Sequence, residues 1–325
     1  MRQLLTTTLA ACAMAASLLG GQALAATQIK VAYENNPGEP VDQVMHYWAD
    51  QLKTKSHGEV ILQLYPSSQL GDKKDVMESA MMGMNVITIT DVGFLQDYDA
   101  DLGILFGPYL TDDPQKLFKI YDSPWFADQK KKLAGQGIHI VMSNYLYGVR
   151  QILAKKPIKV PADMKGLKIR VPNNVMQIKT IEAMGATATP MPLGEVYPAL
   201  TTGIIDGVEN PISVLYGAKL HEQAKYLSMV NYLTNTSLWV GGEAYFSKLP
   251  PDVRKLIEET AYDAGLYSQK LVASEDAKYI EMMKKAGVTV VEPDAAAFRE
   301  ATKPVYKMFP KWSPNLYQTI QDQLK

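Results

Sequence analysis

Arginine is scarce in this chain, five residues against twenty-eight lysines, and two of the five stand where strands are expected. Arg150 falls in Tyr147-Gly148-Val149-Arg150-Gln151-Ile152-Leu153, and Arg170 in Leu167-Lys168-Ile169-Arg170-Val171-Pro172. A guanidinium is a planar, permanently charged fork that grips a carboxylate through two parallel hydrogen bonds. Two of them on apolar strands would hold an organic anion; the alternative is that each pairs with an internal Asp or Glu. Glu34 follows the run Ile29 to Tyr33, and Asp91 ends the run Val86 to Thr90, so each lies at a strand end that faces either a cleft or solvent. A carboxylate in an anion site repels a second substrate carboxylate but accepts hydrogen bonds from hydroxyls. If both line the pocket, a hydroxylated monocarboxylate is favoured over a dicarboxylate.

The elements that must position these groups alternate in type. Ile29 to Tyr33 is a short β run, and Val41, Val44, Met45, Trp48 and Leu52 recur on one helical face. Val60 to Leu64 alternates as a strand, Asp72 to Met84 has helical spacing, and Val86 to Thr90 is a strand. This βαβαβ order predicts an α/β domain with a mainly parallel sheet. A second series begins near Arg150: strand Leu167 to Val171, helix Val175 to Met184, strand Ala188 to Met191, helix Glu195 to Thr202, strand Ile204 to Val208. Trp239 to Phe246 is a further strand candidate. Two α/β units predict two lobes with a cleft, and ligands of open α/β sheets sit beyond the carboxyl ends of strands. From Pro251 to about Ala286 one apolar face persists, with Pro250-Pro251-Asp252 as start and Gly287 as stop. Such a helix would be roughly 50 Å long and would brace both lobes.

Residues 1–25 read as an export leader: Met1-Arg2, an apolar stretch from Leu4 to Leu19, and Gln22-Ala23-Leu24-Ala25 as a small-x-small cleavage site. Export implies the periplasm. Cys12 is the one cysteine and lies in the leader, which excludes disulfides, thiolate catalysis and thiolate metal sites from the mature chain. The formal net charge is −1, without a basic run, so nucleic acid is not expected as a partner.

Catalytic and metal signatures are not found. His46, His57, His139 and His221 are scattered, and His221-Glu222-Gln223-Ala224-Lys225 lacks the second histidine of a zinc-protease helix. There is no Gly-rich phosphate loop and no cofactor motif. Asp97, Asp99 and Asp101 do not have EF-hand spacing.

Asp163 to Pro211 forms one longer pattern. It runs Asp163-Met164-Lys165-Gly166-Leu167-Lys168-Ile169-Arg170-Val171-Pro172-Asn173, then Met184-Gly185-Ala186, then Pro190-Met191-Pro192-Leu193-Gly194-Glu195-Val196-Tyr197-Pro198-Ala199-Leu200. It closes with Gly203-Ile204-Ile205-Asp206-Gly207-Val208-Glu209-Asn210-Pro211. This resembles the substrate-binding proteins of TRAP (tripartite ATP-independent periplasmic) transporters. Tyr65-Pro66-Ser67-Ser68-Gln69-Leu70-Gly71 and Tyr147-Gly148-Val149-Arg150 match as well, so the resemblance extends over the mature chain.

The resemblance implies a periplasmic binding protein fold, α/β and two-lobed, closing on a small organic anion. Lobe I would comprise residues 26–147 and 236–275, and lobe II residues 148–235 and 276–325. The family's carboxylate-binding arginine maps to Arg170, its second arginine to Arg150 and its Asn before proline to Asn210. Glu209 would orient one of the arginines or simply end its strand. Leu193 stands where some sugar-acid binders of the family have an aromatic residue, which argues against a bulky sialic acid. Tyr147, Tyr216 and Trp239 are candidates to stack on a sugar face, or are core residues. The expected function is capture of a sugar acid (an aldonate, uronate or keto-sugar acid) and delivery to TRAP membrane subunits by a monomeric protein. C4-dicarboxylates or keto acids are the alternative ligands. The competing class is a secreted enzyme acting on a carboxylated sugar, with Glu34 or Asp91 as acid or base.

Overall fold

The computed structural model describes residues 26–325; the expected leader lies outside them. Near the N-terminus the alternation forms as expected. Strands β1 (Thr27–Ala32), β2 (Val60–Tyr65) and β3 (Val86–Thr90) flank helices α1 (Pro40–Lys55) and α2 (Lys73–Met81). β1 pairs in parallel with both β2 and β3. Proline opens α1 because the first turn needs no backbone donor. Asp72 caps α2 by accepting from the Lys74 and Asp75 backbone N–H groups. Asp91 does the same for the short helix α3 (Val92–Leu95), accepting from Phe94 N at 3.2 Å. Helices α4 (Pro114–Tyr121) and α5 (Pro124–Gly135) follow.

Two strands of 17 residues each, β4 (Ile138–Ala154) and a later one, then carry the chain between the two halves. The second half repeats the parallel pattern: β5 (Lys168–Val171), α6 (Val175–Ala183), β6 (Thr187–Pro190), α7 (Val196–Thr202) and β7 (Gly207–Pro211). Helix α8 (Ile212–Gly217) leads to β8 (Tyr226–Gly242), which pairs antiparallel with β4 from Ile138 opposite Gly242 to Ala154 opposite Tyr226. The sheet order is β2-β1-β3-β8-β4-β7-β5-β6. β3 adds to one end of β8, and β7 to the far end of β4, so each half is a small sheet grown on opposite ends of a shared ribbon.

Two expected strands are displaced. The strand anticipated at Ile204 to Val208 is Gly207–Pro211, because Gly203 ends α7 in the left-handed region (φ 76°) and Ile204 is left exposed in the turn. The strand anticipated at Trp239 to Phe246 is the last part of β8. It stops at Gly242, where a Cβ would sit 1.8 Å from the Ala80 carbonyl oxygen, and Glu243–Phe246 turns as a short helix, α9.

Helix α10 (Pro251–Lys285) has 35 residues and is about 52 Å long. It packs against α1 and β4 at one end and approaches α8 and β9 (Thr289–Val291) toward the other, contacting both lobes. Its approach to β4 is close. A side chain at Gly265 would fall 2.0 Å from Asn144 Oδ1, while Ser268 Oγ accepts from Leu146 N at 3.0 Å. Helices α11 (Ala295–Thr302) and α12 (Leu316–Gln323) complete the chain.

Each half has its own core. One gathers Trp48, Trp239, Tyr33, Tyr145 and Ile257; another gathers Leu200, Val208, Leu215, Leu227 and Met283. A third, with Phe106, Phe126, Ile152, Met176 and Phe298, draws residues from both halves.

Candidate functional site

Strand ends from both halves converge on one cleft. Its inner chamber is lined by Glu34, Lys73, Asp91, Tyr147, Arg150, Arg170, Pro172, Leu193, Asn210, Asn235 and Ser237, and measures about 340 Å³ counting space open to solvent. By the same measure an outer chamber of about 850 Å³ shares Glu34, Lys73, Arg170 and Pro172 with it and adds Phe94, Asn173 and the Pro190-Met191-Pro192 turn.

The two arginines meet different fates. Arg150, on β4, donates from Nε and Nη2 to the two carboxylate oxygens of Glu209 on β7, the second bond at 2.8 Å. Nη1 donates to Asn235 Oδ1 at 2.8 Å. Glu209 is fully buried and also accepts from the Tyr232 hydroxyl and from Gln177 Nε2 (3.0 Å). Burial, the largest single influence, would lower the Arg150 pKa, but Glu209, Tyr232 and Tyr147 together outweigh it and the net shift is upward. Arg150 therefore pairs with an internal acid.

Arg170 on β5 does not. Its Nε and Nη2 donate to the Met191 carbonyl oxygen at 2.9 and 2.7 Å. Among the described residues no carboxylate lies within ion-pairing distance of it. Burial pushes its pKa down; the charges of Glu209 and Glu34 oppose this, and Arg150 adds to it. It still remains a cation, since arginine does not deprotonate in proteins. This buried guanidinium on the cavity wall thus keeps Nη1 without a hydrogen-bond partner among the described residues. Nearby, Asn210 is 3 % exposed, lines the same chamber, and its Oδ1 has no hydrogen-bond partner.

Across the chamber, Glu34 and Asp91 both line the wall, and Lys73 stands between them with Nζ 3.5 Å from Glu34 Oε2 and 3.6 Å from Asp91 Oδ2. Lys73 Nζ also lies 4.9 Å over the Phe94 ring. Burial raises the Asp91 pKa, against the opposing charges of Lys73 and Arg150 and the Phe94 N–H. Tyr147 lines the chamber and its hydroxyl donates to Asn35 Oδ1 at 3.4 Å. Leu193 lines both the inner chamber and the mouth, where Glu34, Asn36, Tyr197 and Ala218 surround it.

Trp239 is a correction. It is fully buried in a lobe core, edge-to-face with Tyr33, Trp48 and Tyr145, and does not reach the cleft. Alternation puts Trp239 on the same face of β8 as Asn235 and Ser237, but two residues further along, where Tyr33, Trp48 and Tyr145 close over it. Tyr216 likewise stacks on His221 at 4.5 Å, not on the cavity.

Lys73, Phe94, Pro172, Asn235 and Ser237 line the cavity without having been singled out from the sequence. One signal was present: Thr234-Asn235-Thr236-Ser237 is a run of four polar residues in a mostly apolar strand, and all four are buried. Lys73 carries no such mark, because a lysine in the first turn of an amphipathic helix looks like any solvated charge.

Two lobes on a shared ribbon, a cleft between their strand ends and a buried unpaired cation in its wall define a binding protein for small anions. The chain matches the bacterial extracellular solute-binding protein, family 7 (DctP) over residues 31–311 and belongs to that family, whose members here are TRAP periplasmic solute-binding proteins. A TRAP periplasmic solute-binding protein from Ochrobacterium anthropi with bound L-fuconate is 65 % identical, covers 93 % of this chain and 100 % of its own, and superposes with a TM-score of 0.92. Another, from Actinobacillus succinogenes with bound L-galactonate, is 43 % identical over 92 % of this chain and 99 % of its own, with a TM-score of 0.90. The 2,3-diketo-L-gulonate-binding periplasmic protein of Escherichia coli is 33 % identical over 86 % of this chain and 85 % of its own. The family binds solutes and performs no chemistry on them, which removes the enzymatic alternative.

Proposed function

We propose that the protein captures a sugar acid, a hydroxylated monocarboxylate of the aldonate type, in the periplasm and delivers it to the membrane subunits of a TRAP transporter. Arg170 carries the reading: it is a buried cation facing the cleft with its carboxylate partner still to come. The ligand carboxylate accepts from Arg170 Nη1, with Asn210 beside it, while Arg150 shapes the wall through Glu209 and contributes a charge already half spent. Glu34 and Asp91 oppose a second carboxylate at the far end, which disfavours C4-dicarboxylates. Binding closes residues 26–147 and 236–275 against residues 148–235 and 276–325, a hinge motion of the kind that encloses ligands. Relatives with bound L-fuconate and L-galactonate support the ligand class.

A thermal-shift and calorimetric panel tests this. L-Fuconate or L-galactonate should stabilise the purified protein, by about 2.7 kcal/mol at a hundredfold excess over Kd. Succinate and malate should not. Stabilisation by dicarboxylates alone would overturn the proposal.

A further inference from the structure

The far wall of the chamber has a feature that the carboxylate clamp leaves unused. Lys73 stands between two acids at 3.5 and 3.6 Å. Both separations exceed the 2.7–2.9 Å expected of a charge-assisted hydrogen bond. The ammonium therefore neutralises Glu34 and Asp91 through space while keeping its three donors free of short bonds. It is held in place from below by the Phe94 ring at 4.9 Å, and its side chain is only 15 % exposed. Lys73, Glu34 and Arg170 border both chambers, so Lys73 and Arg170 face a common space.

A hydroxyl donates one hydrogen bond and accepts others. A row reading acceptor, donor, acceptor thus matches two neighbouring hydroxyls, each accepting from the central ammonium and each donating to one flanking carboxylate. We propose that Glu34, Lys73 and Asp91 form such a row and read a vicinal diol on the tail of the acid, with Lys73 the residue that sets how strongly hydroxylated ligands are preferred. The inference rests on the sugar-acid reading above and deepens it. The carboxylate end is fixed by Arg170 in β5; the diol end is fixed by α2 and the ends of β1 and β3 in the other half. A ligand long enough to touch both ends holds the cleft shut.

The test is calorimetry with L-galactonate and a series of its monodeoxy analogues, on the unmutated protein and on Lys73→Met and Lys73→Gln. Lys73→Met should weaken L-galactonate about tenfold or more, the worth of a lost charged hydrogen bond. That penalty should vanish, to within about twofold, for analogues lacking either of two adjacent hydroxyls, and persist for the others. Lys73→Gln keeps an N–H donor without the charge and should recover part of the loss. An equal penalty across the whole series would overturn the proposal, because Lys73 would then act as a general charge or a fold element. Failure of the unmutated protein to bind any sugar acid would instead strike the proposed function itself. If Lys73→Met does not fold, Lys73→Gln against the same series decides.

Discussion

Glu209 holds Arg150 through both of its carboxylate oxygens, and no described carboxylate holds Arg170. Two arginines on the wall of one cavity are thus in opposite states. One is a structural ion pair, embedded in a network with Tyr232, Gln177 and Asn235; the other is a buried cation with no carboxylate partner among the described residues. On the proposed function the first builds the cleft and the second uses it, which sets opposite expectations for their variants.

Glu209→Gln keeps the size of the side chain and removes its charge. It leaves Arg150 buried without a counter-ion, and breaking such a pair costs about 3–5 kcal/mol. Urea denaturation of the ligand-free protein should show a loss of that order. Unchanged stability would mean that Asn235 and the remaining carbonyl contacts suffice for Arg150.

Arg170→Lys keeps a charge and loses the fork. Affinity for L-fuconate or L-galactonate should fall about tenfold or more, while the ligand-free protein loses only the two bonds to Met191, about 1–2 kcal/mol. A large loss of stability with affinity intact would make Arg170 a prop for the Pro190–Pro192 turn.

Glu39 carries a pH signature. It is buried at the start of α1, where Asn35 Nδ2 donates to Oε2 at 2.7 Å and the Asn36 N–H to Oε1 at 3.0 Å. Burial outweighs these bonds and its pKa is pushed up from 4.5 to about 7. Between those values the folded state binds the proton more tightly than the unfolded one, so stability falls as pH rises through that window. One such group gives a slope of at most about 1.4 kcal/mol per pH unit. Asp91 and Asp276 are raised by burial too, so Glu39→Gln should flatten the slope without abolishing it. Denaturation at pH 4.5, 6 and 8 measures this; an unchanged slope would mean that other groups dominate.

Trp239→Ala should cost about 3–5 kcal/mol of stability, the usual toll for truncating a buried aromatic. Affinity per folded molecule should stay within about twofold, since the ring packs on Tyr33, Trp48 and Tyr145 away from the ligand. A selective loss of affinity would return it to the cleft.

What the residues revealed in advance follows from how local each signal was. β3 could be placed to the residue and α10 almost so, because their boundaries are marked by turn and cap residues beside an unbroken pattern. The ribbon of β4 and β8 was visible only in fragments. Both strands are buried for most of their length and β4 shifts register against β8 at several points, so neither keeps the clean alternation that marks a strand. At the site, arginines were legible because they were rare in an apolar context. Lys73 was not, since its meaning comes from Glu34 and Asp91, which are distant in sequence and close only after β1, β3 and α2 assemble.

Three continuous elements, β4, β8 and α10, link the halves of this molecule. These connections, one of them a rod about 52 Å long, would restrict twisting and sliding between the halves and favour closure along one coordinate. On the proposed function, a ligand bridging Arg170 and Lys73 would drive that one coordinate. Membrane subunits would then need only to sense its two end positions, and occupancy would be reported as a binary signal even though the acid that sets it touches a handful of side chains.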